Sequence, residues 1–222
     1  MKNIAGPAKA QIVATLLEEH GRTYANELGI NVEQNTPSPL FRLLCASLLF
    51  SARISADTAV AAARALADKG WTTAQKMADS TWRERTDTLN RAGYARYDES
   101  TSRYLGETSA LILDRWDGDL RNLREEAEHD PQAERRLLKE CKGIGDVGVD
   151  IFFREVQVAW EELVPFADKR ALQTAKSLDL ADDAPGLIKL VDDNDFAGLV
   201  AALVRVGLGK RQDEVLEHAA SR

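Results

Sequence analysis

Two stretches of this chain carry residues whose types and spacing could do chemistry. The first is 138–150, Leu-Lys-Glu-Cys-Lys-Gly-Ile-Gly-Asp-Val-Gly-Val-Asp, in which Gly143, Gly145 and Gly148 alternate with apolar residues between two helix-like segments. Glycine tolerates positive φ and lets another backbone approach closely. A tight Gly-Ile-Gly turn feeding a helix leaves several N–H groups unpaired at the positive end of the helix dipole. That is a seat for an anion, and a phosphate diester suits it. The same spacing also serves as a plain corner between two helices. The second stretch is Val164-Pro165-Phe166-Ala167-Asp168, where the aspartate precedes Lys169-Arg170-Ala171-Leu172. A carboxylate there can cap the following helix, and it can also stabilise developing positive charge or activate a water.

The whole chain sets the bounds within which such groups can act. Its 222 residues allow one large domain or two small ones. With 44% hydrophobic and 29% charged residues, the composition is that of a globular protein. No apolar run reaches the ~20 residues that span a bilayer, and the first residues show no signal-peptide core. A cytoplasmic protein without membrane contact is therefore expected. Cys45 and Cys141 are far apart in sequence and lie in helix-like segments, which fits buried thiols better than a disulfide. Neither belongs to a Cys-x-x-Cys set, and His20, His129 and His218 are scattered, so no metal-ligand spacing emerges. The net charge of −7 opposes broad electrostatic affinity for nucleic acid, yet leaves room for a local basic face.

The elements that must position these residues read as helices throughout. Residues 8–20 carry apolar positions at helical spacing, and 40–50 is apolar around most of its circumference, as a buried central helix is. Ser55 is placed to cap a helix over 57–69, with Gly70 after it. Short helices are expected over 74–79 and 81–92, and a long one over 98–116. The charged stretch 121–136 reads as a solvated helical face and connector. The hairpin joins 133–141 to 147–160, and further helices follow near 169–178 and, with one apolar face, at 195–208. No segment has period-two alternation, so the class is all-α.

Three blocks, in order, resemble the helix-hairpin-helix (HhH-GPD) DNA glycosylase superfamily of endonuclease III-like proteins. They are 43–57 with its Phe-Ser-Ala-Arg run, Ala92-Gly93-Tyr94-Ala95-Arg96-Tyr97 before a helix, and the hairpin followed by the loop into Asp168. The resemblance covers roughly 38–180. It implies two helical lobes with the hairpin and aspartate facing a cleft between them. One lobe would comprise 1–36 with 133–222, including the hairpin, and the other 37–132. It further implies that Gly143, Ile144, Gly145, Val147 and Gly148 grip a phosphate of double-stranded DNA, with Lys142 as countercharge. In the family a monovalent cation often sits on the hairpin carbonyls. Asp168 would be the catalytic carboxylate, with Arg53, Tyr94 and Tyr97 lining a base pocket or intercalating at the flipped nucleotide.

Departures from the family pattern narrow the expected activity. Lyase-active members carry a lysine in the hairpin where this chain has Val147, and valine cannot form an imine. No cysteine follows Leu180, so the family's iron–sulfur cluster is not expected. Arg53 stands where the family has a glutamine, and Lys169-Arg170 put positive charge beside Asp168. The expectation is a monomeric, monofunctional glycosylase using water, or a non-catalytic DNA-binding or adaptor protein of the same fold.

Overall fold

A computed structural model describes residues 7–222, and every regular element among them is a helix. Contacts divide the described chain into two units, one of residues up to Glu27 together with Val164–Arg222 and one of Leu28–Leu163. The chain starts in the split unit with α1 (Lys9–His20) and the short α2 (Tyr24–Glu27).

The continuous unit is built on α3 (Pro37–Ser51), which starts with proline in its first turn, where the missing N–H costs nothing. Ten of its fifteen residues are buried, from Pro39 to Leu49. A helix apolar on most sides needs neighbours on most sides. They are α4 (Ala56–Asp68), α7 (Asp98–Trp116), α8 (Leu120–Glu126) and α10 (Asp146–Val156). Ser55 does cap α4, its hydroxyl accepting from Thr58 N–H at 3.1 Å. Between α4 and α7 lie α5 (Ala74–Ala78) and α6 (Trp82–Arg91), and both pack on α7. Buried Arg85 of α6 ties them together by donating to the carbonyls of Met77, Ser80 and Ser102.

The hairpin belongs to this continuous unit, so the lobe boundary falls near Val164 and not at residue 133 as the sequence suggests. The physical reason is the seat of α10 on α3, where Val149, Phe152 and Phe153 are buried. The charged stretch also differs from a solvated connector. It breaks at Glu128 and His129, both with positive φ, into α8 and α9 (Pro131–Leu138). Asp130 caps α9, accepting from Ala133 N–H at 2.8 Å.

The inner face of α9 buries Glu134 and Leu138, both fully. Neither carboxyl oxygen of Glu134 receives a hydrogen bond. Its neighbour is Glu162, which Arg124 of α8 grips through Nε at 2.6 Å and Nη2 at 2.5 Å. His129 Nδ1 lies 3.9 Å from the same carboxylate, and the Arg124 guanidinium also covers the Trp160 ring. Burial, then the bond to Glu162, pushes the Glu134 carboxyl up to about 8. Burial opposes ionisation of Glu162 too, but the hydrogen bonds from Arg124 and Glu134 outweigh it and hold that carboxyl well below the usual range. Buried and beside that anion, the Glu134 carboxyl favours its protonated form.

In the split unit α11 (Lys169–Ser177) and α12 (Ala184–Ile188) precede α13 (Phe196–Gly209) and α14 (Gln212–Ala220). The sequence gives 195–208 one apolar face. In the structure α13 is the centre of its unit, with Ala201 and Ala202 as buried as Leu199 and Leu203. It packs on α1 and α11, and α14 packs on α1. The approach to α11 needs Gly207, since a Cβ there would stand 2.3 Å from Thr174 Oγ1.

The Glu134–Glu162 pair predicts an unusual pH profile of stability. In the unfolded chain both groups lose their protons in the ordinary carboxylate range, whereas the folded pair keeps one proton until about pH 8. Stability should therefore rise with pH on the acid side, as Glu162 ionises, and decline between about pH 5 and about pH 8, where only the folded state holds the proton. Glu134→Gln retains a donor to Glu162 and removes the titration. Its melting temperature should stay flat across that window, while wild type falls. Parallel melting curves for the two proteins would refute the shared proton.

Candidate functional site

The candidate site starts at the turn between α9 and α10. Gly143 has φ +84°, and a Cβ there would stand 2.7 Å from Cδ2 of Tyr104, so the turn lies directly on an aromatic ring of α7. Thr108, one helical turn further along α7, donates its hydroxyl to Lys142 O at 3.1 Å. Ile144 is buried and its N–H donates to Cys141 O at 3.0 Å, which plugs the turn into the unit. Cys141 is also buried, as a free thiol whose ionisation burial pushes up to about 12, so it acts as a small apolar residue. Tyr104 and Thr108 thus hold the hairpin in shape. Nothing in their local spacing marks that role, because it arises from a contact between distant segments.

Gly145 then serves as the N-cap residue of α10, in extended conformation and with no side chain to cap the helix. Its carbonyl accepts from Val149 N–H at 3.0 Å, which is the first bond of the helix. The N–H groups of Asp146, Val147 and Gly148 meet no acceptor among the described residues. These are the unspent donors that the sequence pattern leads one to expect. Val147 is 59% exposed. Lys142 is exposed and has no carboxylate partner among the described residues. Of the turn carbonyls, those of Cys141 and Lys142 are already used, leaving Gly143 and Ile144 as what the backbone offers a monovalent cation.

Asp146 is a charge that the phosphate-seat expectation does not include. It occupies the first turn of α10, where a carboxylate is favoured by the helix dipole. The hydrogen bond from Lys139 Nζ at 2.8 Å, reinforced by its charge and that of Arg135, holds its carboxyl below the usual range.

The expected base-contacting residues separate into three environments. Arg53 is exposed in the loop after α3 and has no ion-pair or hydrogen-bond partner among the described residues. Tyr97 is half-buried, with the Arg96 guanidinium 5.2 Å from its ring. Tyr94 does not fit the role. It is 1% exposed, its hydroxyl donates to Leu49 O at 3.2 Å, and it packs edge-on against Tyr97. Its ring fills the space beneath the last turn of α3, because a hydroxyl bonded inside the core leaves no face for a base. Tyr94 props up the helix end from which the Arg53 loop departs.

Asp168 is the N-cap of α11. Its Oδ1 accepts from Arg170 N–H at 2.8 Å and from Ala171 N–H at 3.0 Å. The carboxylate is 8% exposed and makes further interactions besides the cap. Lys169 and Arg170, by contrast, are exposed. Among the described residues no three His, Cys, Asp or Glu side chains gather in a way that could hold a metal ion. No helix among them is long and apolar enough to cross a membrane.

Helices alone, with a glycine turn joining α9 to α10, define an all-α fold, which solved endonuclease III structures share. A trapped endonuclease III–DNA covalent intermediate, an estranged-adenine complex, is similar at a TM-score of 0.50 and 18% identity, over 90% of this chain and 85% of that one. A non-covalent endonuclease III–DNA complex is similar at 0.51 and 17% identity, with the same coverage. No protein-family model matches the sequence, and no curated protein does.

The two glycines of the turn should respond differently to an added methyl group. Gly143→Ala forces a side chain into positive φ and against Tyr104, and should cost about 1–3 kcal/mol in urea unfolding. Gly145→Ala meets open space at an ordinary backbone angle and should cost less, about 0.5 kcal/mol, because alanine is a poorer N-cap than glycine. Equal effects at the two positions would contradict this geometry.

Proposed function

We propose that this protein is a DNA base-excision glycosylase that cleaves the N-glycosidic bond of a damaged or mismatched base with water and has no β-lyase step. The observation that carries the reading is the run of unspent amides at Asp146, Val147 and Gly148, at a glycine turn within an endonuclease III-like fold. In this reading those amides, with Gly143, Gly145 and Lys142, hold one phosphate of a duplex and fix the strand. Arg53 fills the space left by an everted nucleotide, and Tyr97 offers an aromatic face at the pocket. The protein acts as a monomer.

Asp168 supplies the charge for the chemistry. Loss of the base leaves positive charge on the sugar, which a fixed anion stabilises. The same carboxylate accepts a proton from the water that attacks C1′, while the base departs with the bonding electrons. The cap bonds to Oδ1 support this role, because they fix the side chain's orientation before substrate arrives. They also favour a second reading, in which capping is the whole task of Asp168 and the protein binds DNA without cutting it.

A panel of duplexes carrying different lesions, scored for base release, separates the two readings. Asparagine is as good an N-cap as aspartate, so Asp168→Asn should fold normally and lose at least about a hundredfold in rate. A wild type inert on the whole panel but binding duplex supports the non-catalytic reading, and an Asp168→Asn variant as active as wild type moves the chemistry elsewhere. Borohydride should trap no covalent adduct on abasic DNA, since Val147 has no amine. A trapped adduct would refute the monofunctional mechanism.

A further inference from the structure

The outer face of α9 carries Gln132, Arg135, Arg136 and, just past the helix end, Lys139, at the i, i+3, i+4, i+7 spacing of one helical stripe. They line an open groove of about 450 Å³. Three cations so close together are notable in a chain of net charge −7. Two of them are held by carboxylates on the facing side of α10. Lys139 Nζ lies 2.8 Å from Asp146 Oδ1, and Arg135 Nη2 lies 2.7 Å from Asp150 Oδ1. Arg135 Nη1 is also 3.9 Å from Asp146, and its guanidinium covers the Phe153 ring at 5.1 Å. Arg136 and Gln132, both exposed, have no partner among the described residues.

Asp146 and Asp150 stand one helical turn apart and make a matching acidic pair. The Lys139–Asp146 pair is solvent-exposed and cheap to break, since such pairs contribute about 1 kcal/mol or less, and the Arg135–Asp150 pair is half-buried. A phosphate diester at the first turn of α10 would face Asp146 directly. It could approach only if the local cations offset that carboxylate or turned toward the newcomer. The stripe is placed to do both.

We propose that the Gln132–Lys139 face of α9 is a second contact for the backbone of the DNA strand held by the hairpin, and that Asp146 and Asp150 act as tethered counterions which the DNA phosphates displace. The proposal rests on the DNA reading of the hairpin given above. It explains how an acidic protein presents a cationic track: the track is present but neutralised from within. It also has a thermodynamic signature. Binding through free cations releases bulk counterions and steepens the dependence of log K on log salt by about 0.9 per phosphate contact. When a tethered cation meets a phosphate the cation condensed on the DNA is still released, but the carboxylate set free takes up a cation from bulk, so wild type should show a shallow slope for its number of contacts.

The test is fluorescence anisotropy of a short labelled duplex over about 50 to about 200 mM salt, with wild type, Arg136→Ala and the double variant Asp146→Asn/Asp150→Asn. Melting temperatures should confirm that each variant is folded. Arg136→Ala should weaken binding roughly threefold or more and make the slope shallower by about one unit. The double variant should bind more tightly at low salt and show a slope steeper by about one to two units. If wild type binds duplex but both variants match it in affinity and slope, the stripe is overturned and the hairpin reading stands. Weaker binding by the double variant overturns the tethered-counterion role. If wild type binds no duplex, both readings fall.

Discussion

The seat of α10 on α3 is the constraint on which the rest of the continuous unit depends. Val149, Phe152 and Phe153 of α10 are buried, and the helix on which α10 packs is itself buried on most sides. Each such side chain contributes on the order of 2 kcal/mol when removed from water. With α10 fixed, its first turn is fixed too, and so is the place where its unpaired amides sit. Ile144 and Cys141 secure the turn from below, and Tyr104 fills the space that a side chain at position 143 would need. This seat of spare amides is therefore a by-product of hydrophobic packing: apolar contacts hold the backbone so that polar groups are left over.

Helix α9 relates to this seat through two opposite faces. Its inner face places a neutral carboxylic acid, Glu134, against the Glu162 anion gripped by Arg124. Its outer face presents the cations that neutralise Asp146 and Asp150. A buried pair that shares one proton adds directionality to the packing of α9, since an apolar residue would tolerate rotation and a hydrogen bond does not. Fixing the rotation of α9 also fixes which of its residues face α10. The inner pair thereby aims the outer stripe.

How much of this was legible in the sequence depends on where the determining contact lies. Local patterns carried the helices well: the apolar run at 40–50 is the buried α3, Ser55 caps α4, and 98–116 is α7 to the residue. The glycine turn and the Asp168 cap were legible for the same reason, because both are set by neighbours a few residues away. Roles set by distant partners were not. Tyr94 offers the residue type of a base-stacking group, and only its bond to Leu49 O, across 45 positions, shows that it belongs to the core. Glu134 sits in a stretch so rich in charge that a solvated face is the natural reading, and its burial depends on Glu162 and Arg124. The amphipathic pattern at 195–208 hid a central helix, because alanine counts as weakly apolar yet is what lets neighbouring helices close around α13.

A capping aspartate and a catalytic aspartate make compatible demands on Asp168. A carboxylate has two oxygens and about four lone-pair sites, and the cap uses Oδ1 alone for two backbone donors. Those bonds restrict the side chain to one rotamer at the start of α11, which supplies in advance the orientation that a reacting anion needs.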